Sequence, residues 1–171
     1  MIQVFGSGAQ QIGGTTSLVG NSFDRPANTT GYSINDIVSS GSAMIIKPCA
    51  RVLNGTGYIT AFKLVTNSLV TPRIRVHIGK TSTFFTTLTD NVANNQTFSD
   101  LSGDNYIGYV DLPALASGGN TTSALINDNT QRVPYETSTA NLELFFVLET
   151  LDAFTPISGQ TFQLTIATEQ N

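Results

Sequence analysis

The stretch Asn141–Thr150 (NLELFFVLET) constrains the fold more than any other part of the sequence. Successive side chains of an extended chain point to opposite faces. Leu142, Leu144, Phe146 and Leu148 therefore line one face, and Phe145 and Val147 line the other. A strand that is apolar on both faces at its centre has to be covered on both sides. The stretch is expected to be the central strand of a β-sandwich, with Glu143 and Glu149 reaching water at its ends.

The chain has 171 residues, a length that points to one domain able to bury a sizeable core without disulfides or metals. Only 12% of residues are charged, and Thr, Asn, Ser and Gly supply most of the polarity. Such residues suit strands and turns more than helices. Cys49 is the single cysteine, which excludes an internal disulfide and a cysteine-based zinc site. No apolar run approaches the ~20 residues of a membrane helix, and the N-terminus lacks the pattern of a secretory signal. The expectation is a soluble protein made in a cytoplasm, with the sequons at Asn28, Asn54, Asn95 and Asn120 unused.

Charge is divided along the chain. Residues 1–80 hold seven of the eight basic residues and two of the twelve acidic ones, a net of +5. Residues 81–171 hold one basic residue and ten acidic ones, a net of −9.

Residues 1–22 are too Gly-rich and aperiodic for a buried element. They read as an extended arm or as a disordered leader, and the scattered Phe5, Ile12, Leu18 and Val19 favour an arm that docks on a partner. Residues 23–171 read as one sandwich domain. Turn signals divide it into a short edge strand at Tyr32–Val38, then a hairpin of Met44–Leu53 and Thr56–Thr66 around Asn54-Gly55. Pro48 marks an edge or a bulge. Pro72–Lys80 alternates, with Ile74, Val76 and Ile78 inward and Arg73, Arg75 and His77 outward. Further strands are expected at Phe84–Leu88, Asn105–Leu112, Thr121–Ile126 and Thr161–Thr168. The last of these places Phe162, Leu164 and Ile166 inward. Asp90–Asp104 reads as a polar loop anchored by Phe98 and Leu101, and Asn127–Thr139 as mostly loop. The sum is an all-β antiparallel sandwich or jelly roll of about eight to ten strands, with no convincing helix.

Chemistry-bearing constellations are sparse. Cys49 and His77 are the only nucleophile and base available as a pair, but no strained turn or oxyanion hole accompanies them, so a half-buried thiol and a surface histidine are expected. The loop acids Asp90, Asp100, Asp104 and Asp128 match no recognised metal loop. Gly6-Ser7-Gly8 opens no helix, so it is not a dinucleotide fingerprint. Lys47, Arg51, Arg73, Arg75 and His77 would make a basic sheet face. Acidic pI, near 4.7, and the lack of interleaved aromatics speak against nucleic acid. Contact with an acidic protein surface, with Arg73 and Arg75 as candidates, and pairing with acidic strands of the same chain both stay open. No cofactor, enzymatic activity, nucleic-acid partner or membrane partner is expected.

Three pieces, FDRPANTTGYSINDIVSS (23–40), GTGYITAFKLVTNSLVTPRIRVHI (55–78) and DNVANNQTFSDLSGDNYIGYVDLP (90–113), resemble in order and spacing the small structural proteins of tailed bacteriophages encoded near capsid genes. The resemblance implies a jelly-roll decoration (cement) subunit, often trimeric, that clamps the major capsid protein of a virion. It transfers no set of functional residues. The alternative is a head-fibre or tail module that binds a receptor or carbohydrate, which would need flat exposed aromatics among Tyr32, Tyr58, Tyr106, Tyr109 and Tyr135. A hydrolase is disfavoured by the single histidine.

Overall fold

Strand Leu144–Thr150 (β10) has all seven residues buried. The computed structural model that shows this describes residues 15–117 and 124–170. On one side β10 pairs with β5 (Ile74–Gly79); on the other it pairs with two short strands, β2 (Ile37–Val38) and β3 (Met44–Ile46). β6 (Tyr106–Leu112) adds to the far side of β5, completing a five-stranded antiparallel sheet. Opposite lies a six-stranded antiparallel sheet in the order β1 (Thr15–Asp24), β11 (Thr161–Gln170), β4 (Thr56–Thr66), β8 (Ala124–Asp128), β7 (Ala116–Ser117), with β9 (Val133–Glu136) also paired to β4. The chain is an all-β sandwich.

The alternating strands fill the space between the sheets. Leu144, Phe146 and Leu148 of β10 meet Ile74, Val76 and Ile78 of β5, with Phe62 and Leu64 of β4 and Phe162, Leu164 and Ile166 of β11 opposite. The other face of β10 is covered as well. Phe145 and Val147 pack with Ile37, Phe84 and Phe85 in a second, smaller cluster. Gly79 makes room for that cover, because a Cβ there would fall 2.0 Å from the Phe84 ring. The central-strand expectation is met, with one difference: Glu149, expected in water, is 2% exposed.

Several expectations are corrected. Residues 15–22, read as an arm, belong to β1, which pairs residue by residue with β11 from Thr15↔Gln170 to Asp24↔Thr161. Alternation is present there, with Val19 and Phe23 packed against the core, but Gly20 and the Ser/Thr/Asn content hide it. Residues 1–14, including Phe5 and Ile12, lie outside the described residues. The hairpin of Met44–Leu53 with Thr56–Thr66 does not form. Pro48, which has no N–H for a ladder, follows β3, and its peptide bond with Lys47 is cis. The chain then leaves the sheet, so β3 and β4 stand in different sheets. Asn54, at φ 55°, does turn the chain, but its N–H donates to Ser138 O (3.1 Å) rather than to a hairpin partner. Phe84–Leu88 is not a strand, because its two Phe rings cover β10 from outside the ladder. Of Tyr32–Val38 only Ile37–Val38 is strand, with Tyr32 in an isolated bridge to Phe154. A helical turn, α1 (Phe98–Ser102), sits in the polar loop with a capping box between Thr97 and Asp100. Backbone and side-chain hydrogen bonds from Thr97 hold the Asp100 carboxyl below its usual range. Leu101, expected as an anchor, is exposed. Val133–Glu136, expected as loop, is strand β9.

Candidate functional site

Among the described residues, the basic first half of the chain is largely paired within the chain. Five of its seven cations pair with acids of the second half: Arg25–Asp90 (3.0 Å), Lys47–Glu143 (2.9 Å), Arg73–Asp152 (2.7 Å), Arg75–Asp111 (2.6 Å) and Lys80–Glu136 (2.8 Å). The register explains one of these. Arg75 on β5 stands between Asp111 of β6 and Glu149 of β10, directly opposite both. The Asp152 carboxyl is held low by hydrogen bonds from the Arg73 side chain and backbone. Among the described residues, only Arg51 and Lys63 of this group lack an ion pair. The charge division along the sequence is thus largely neutralised by folding, and Arg73 and Arg75 have intrachain partners.

Two buried polar networks were not anticipated. In the first, Arg25, 2% exposed, donates from Nε to Tyr32 Oη (2.8 Å), from Nη1 to Asn28 O (2.7 Å) and from Nη2 to Asp90 Oδ2 (3.0 Å). The Tyr32 hydroxyl donates in turn to Asp90 Oδ1 (2.5 Å), and Ser39 N–H donates to the same oxygen (3.1 Å). Burial, reinforced by Asp90, pushes the Tyr32 hydroxyl far above its usual pKa. The second network centres on His77, 3% exposed. Its Nε2 donates to Glu149 Oε2 (2.6 Å), and its Nδ1 lies 2.9 Å from Tyr106 Oη. Asn94 Nδ2 also donates to Glu149 Oε2 (2.9 Å). His77 points outward from the core as expected, but the Phe84–Phe85 cover buries it; its ring stands 4.6 Å from that of Phe85.

Cys49 is fully buried, and its thiol donates to Ile46 O (3.1 Å). Burial pushes it up to about 12, far from the thiolate a nucleophile needs. Cys49 and His77 have separate partners and form no dyad. Three of the four loop acids, all but Asp104, are also engaged. Asp90 holds Arg25, Asp100 caps α1, and Asp128 accepts from Thr130 N (2.9 Å), Thr130 Oγ1 (2.7 Å) and Gln131 Nε2 (3.3 Å). Burial opposes the charge on Asp128, but these donors outweigh it and its pKa is lowered. Among the described residues no group of three His, Cys, Asp or Glu is placed to hold a metal ion.

Exposed apolar side chains are scattered over the described residues, among them Ile34, Val52, Leu53 and Tyr109, and the most exposed is Leu18 on β1. Leu18, Ala167 and Ala61 stand in one row across β1, β11 and β4. With Phe62, Lys63 and Thr165 they line a shallow groove of about 490 Å³. Leu18 is 77% exposed. Of the docking residues expected from sequence, Leu18 is on this surface and Val19 faces the core. The aromatics are less available. Tyr32 and Tyr135 are buried, and Tyr58 and Tyr109 each carry an arginine, Arg132 and Arg75, at 4.2 Å from the ring centre.

Among solved structures, the chain is similar to one described as the Cyanophage Pam1 capsid asymmetric unit. That match has 12% sequence identity and a TM-score of 0.38, and covers 100% of this chain and 94% of the other. No protein-family model and no curated protein matches the sequence.

Proposed function

We propose that this chain is a structural subunit of a bacteriophage virion, a decoration protein that binds and stabilises the shell of the major capsid protein, and not an enzyme. The observation that carries this reading is where the chemistry goes. The motifs behind the phage resemblance supply the internal latches: Arg25, Asn28 and Tyr32 come from the first piece, and Asp90 and Asn94 from the third. The outer face of the six-stranded sheet carries a shallow groove lined by Ala61, Lys63, Thr165 and Ala167 around an exposed Leu18. Such a surface suits shape-matched contact with another protein. A carbohydrate-binding fibre module is the weaker reading, because arginines occupy one face of both Tyr58 and Tyr109.

The test is to add the purified chain to shells prepared without it. Stoichiometric co-sedimentation and retention of shells at a denaturant concentration that opens bare ones are the expected results. Protein that stays in the supernatant at saturating concentration, or that binds purified glycans instead, would overturn the proposal.

A further inference from the structure

A long strand at the rim of a sheet invites pairing with another chain unless it is shortened, bulged, charged or broken by proline. The other rim strands among the described residues have such protection. β2 and β7 have two residues each and β3 has three; β9 carries Pro134; β6 carries Gly108 at φ 152° and slips register against β5. β1 differs. It has ten residues, pairs in unbroken register with β11 alone among the described strands, and has no proline, lysine or arginine. Its only charge is Asp24 at its end.

The two halves of this edge differ. β3 lies beside the C-terminal half, where Asn21 Nδ2 donates to Ile45 O (2.9 Å) and fastens the sandwich. Among the described residues, no strand but β11 lies beside Thr15–Gly20, the part that holds Leu18. We propose that a second copy of this chain occupies it, β1 running antiparallel to β1 about a two-fold axis with Leu18 opposite Leu18. The occupant is a second copy because both copies carry the same unprotected strand, and a two-fold contact joins a surface to itself. Directly opposite residues in a pair share a face, so a continuous outer face fixes the parity. Within that parity, centring on Leu18 covers the one large exposed apolar side chain of β1 on both copies. It also sets Thr16 against Gly20 and keeps both Asp24 carboxylates outside the paired stretch. The two six-stranded sheets then become one, and the groove beside Leu18 continues across the join. This interface is two-fold, unlike the three-fold assembly that the phage resemblance implies, and it does not depend on shell binding.

The experiment uses the full chain in solution without shells. Sedimentation equilibrium should show a reversible dimer. Leu18→Lys, at a 77% exposed position, should keep the fold and weaken the dimer at least about tenfold, because like charges then face each other across the pair. Opposite residues of an antiparallel pair lie about 4.5–5.5 Å apart at Cα, within disulfide reach. Leu18→Cys should therefore give a covalent dimer under mild oxidation, and Val65→Cys, on interior strand β4, should not. A chain that is monomeric at every concentration would overturn the proposal. So would a dimer unaffected by Leu18→Lys and untrapped by Leu18→Cys. A monomer that dimerises only after removal of residues 1–14 would also overturn it, by showing that the chain's own N-terminal segment fills the edge.

Discussion

Glu149 holds the most consequential side chain of the structure. It is buried and accepts from both His77 and Asn94 on one oxygen, while Arg75 stands 4.0 Å from the other. Without Glu149 the buried His77 and Asn94 lose their shared acceptor, whereas Arg75 keeps Asp111, and breaking a buried pair of this kind costs about 3–5 kcal/mol. Glu149→Ala is expected to cost about that much in a denaturant melt, whereas Lys47→Ala, at an exposed pair, should cost about 1 kcal/mol or less. Equal losses would show that the network is dispensable. The buried hydroxyls and thiol set an alkaline limit. Burial pushes Tyr106 and Tyr135 up to about 12, as it does Cys49, against ordinary values of about 10 and 8.5. The unfolded chain therefore loses these protons first. Stability should be full below about pH 8.5 and fall progressively as pH rises towards 12. A melting temperature unchanged through pH 11 would contradict this, as would rapid thiol labelling of folded protein at pH 8.

At the scale of elements, β10 is the keystone and β1 the surprise. Phe146 is 1% exposed between the sheets, so Phe146→Ala should cost about 3–5 kcal/mol; a loss below 1 kcal/mol would show that the core tolerates the cavity. Truncation through residue 22 removes most of β1 and uncovers β11, so it should lower the melting temperature by about 10 °C or more. Truncation through residue 14 spares every residue of β1, and the β spectrum should persist. Wherever a stretch buries by simple alternation, the sequence was readable: β10, β5 and β11 sit as their side chains dictate. Strand pairing was less so, because Asn54-Gly55 signals a turn without saying which strands it joins. The His77 environment was hidden for a different reason. Alternation placed it outward correctly, but its burial depends on Phe84 and Phe85, which arrive from a loop with no periodicity. The Arg25–Asp90 latch joins positions 65 residues apart, and nothing local announces it. β1 was missed because an edge strand rich in Ser and Thr needs only its inward residues to be apolar.

For the whole molecule, the separation of charge along the chain is largely offset by ion pairs between its two halves. Five cations of the first half meet acids of the second within one subunit, so the proposed β1 contact rests on strand pairing and on Leu18 more than on ion pairs. Self-association is therefore expected to change little between low and high salt, where exposed charge pairs would be screened. A steep loss of dimer with added salt would mean that ions, not the β1 edge, hold the copies together. The proposed role is that of a building block on a virion shell. Imaging the intact particle in which the chain occurs tests that most directly. Density fitting this sandwich is expected on the outside of the capsid, with the face around Leu18 and the β1 edge buried in contacts. Density confined to the tail or a fibre tip, or a capsid-bound subunit with that face in open solvent, would contradict it.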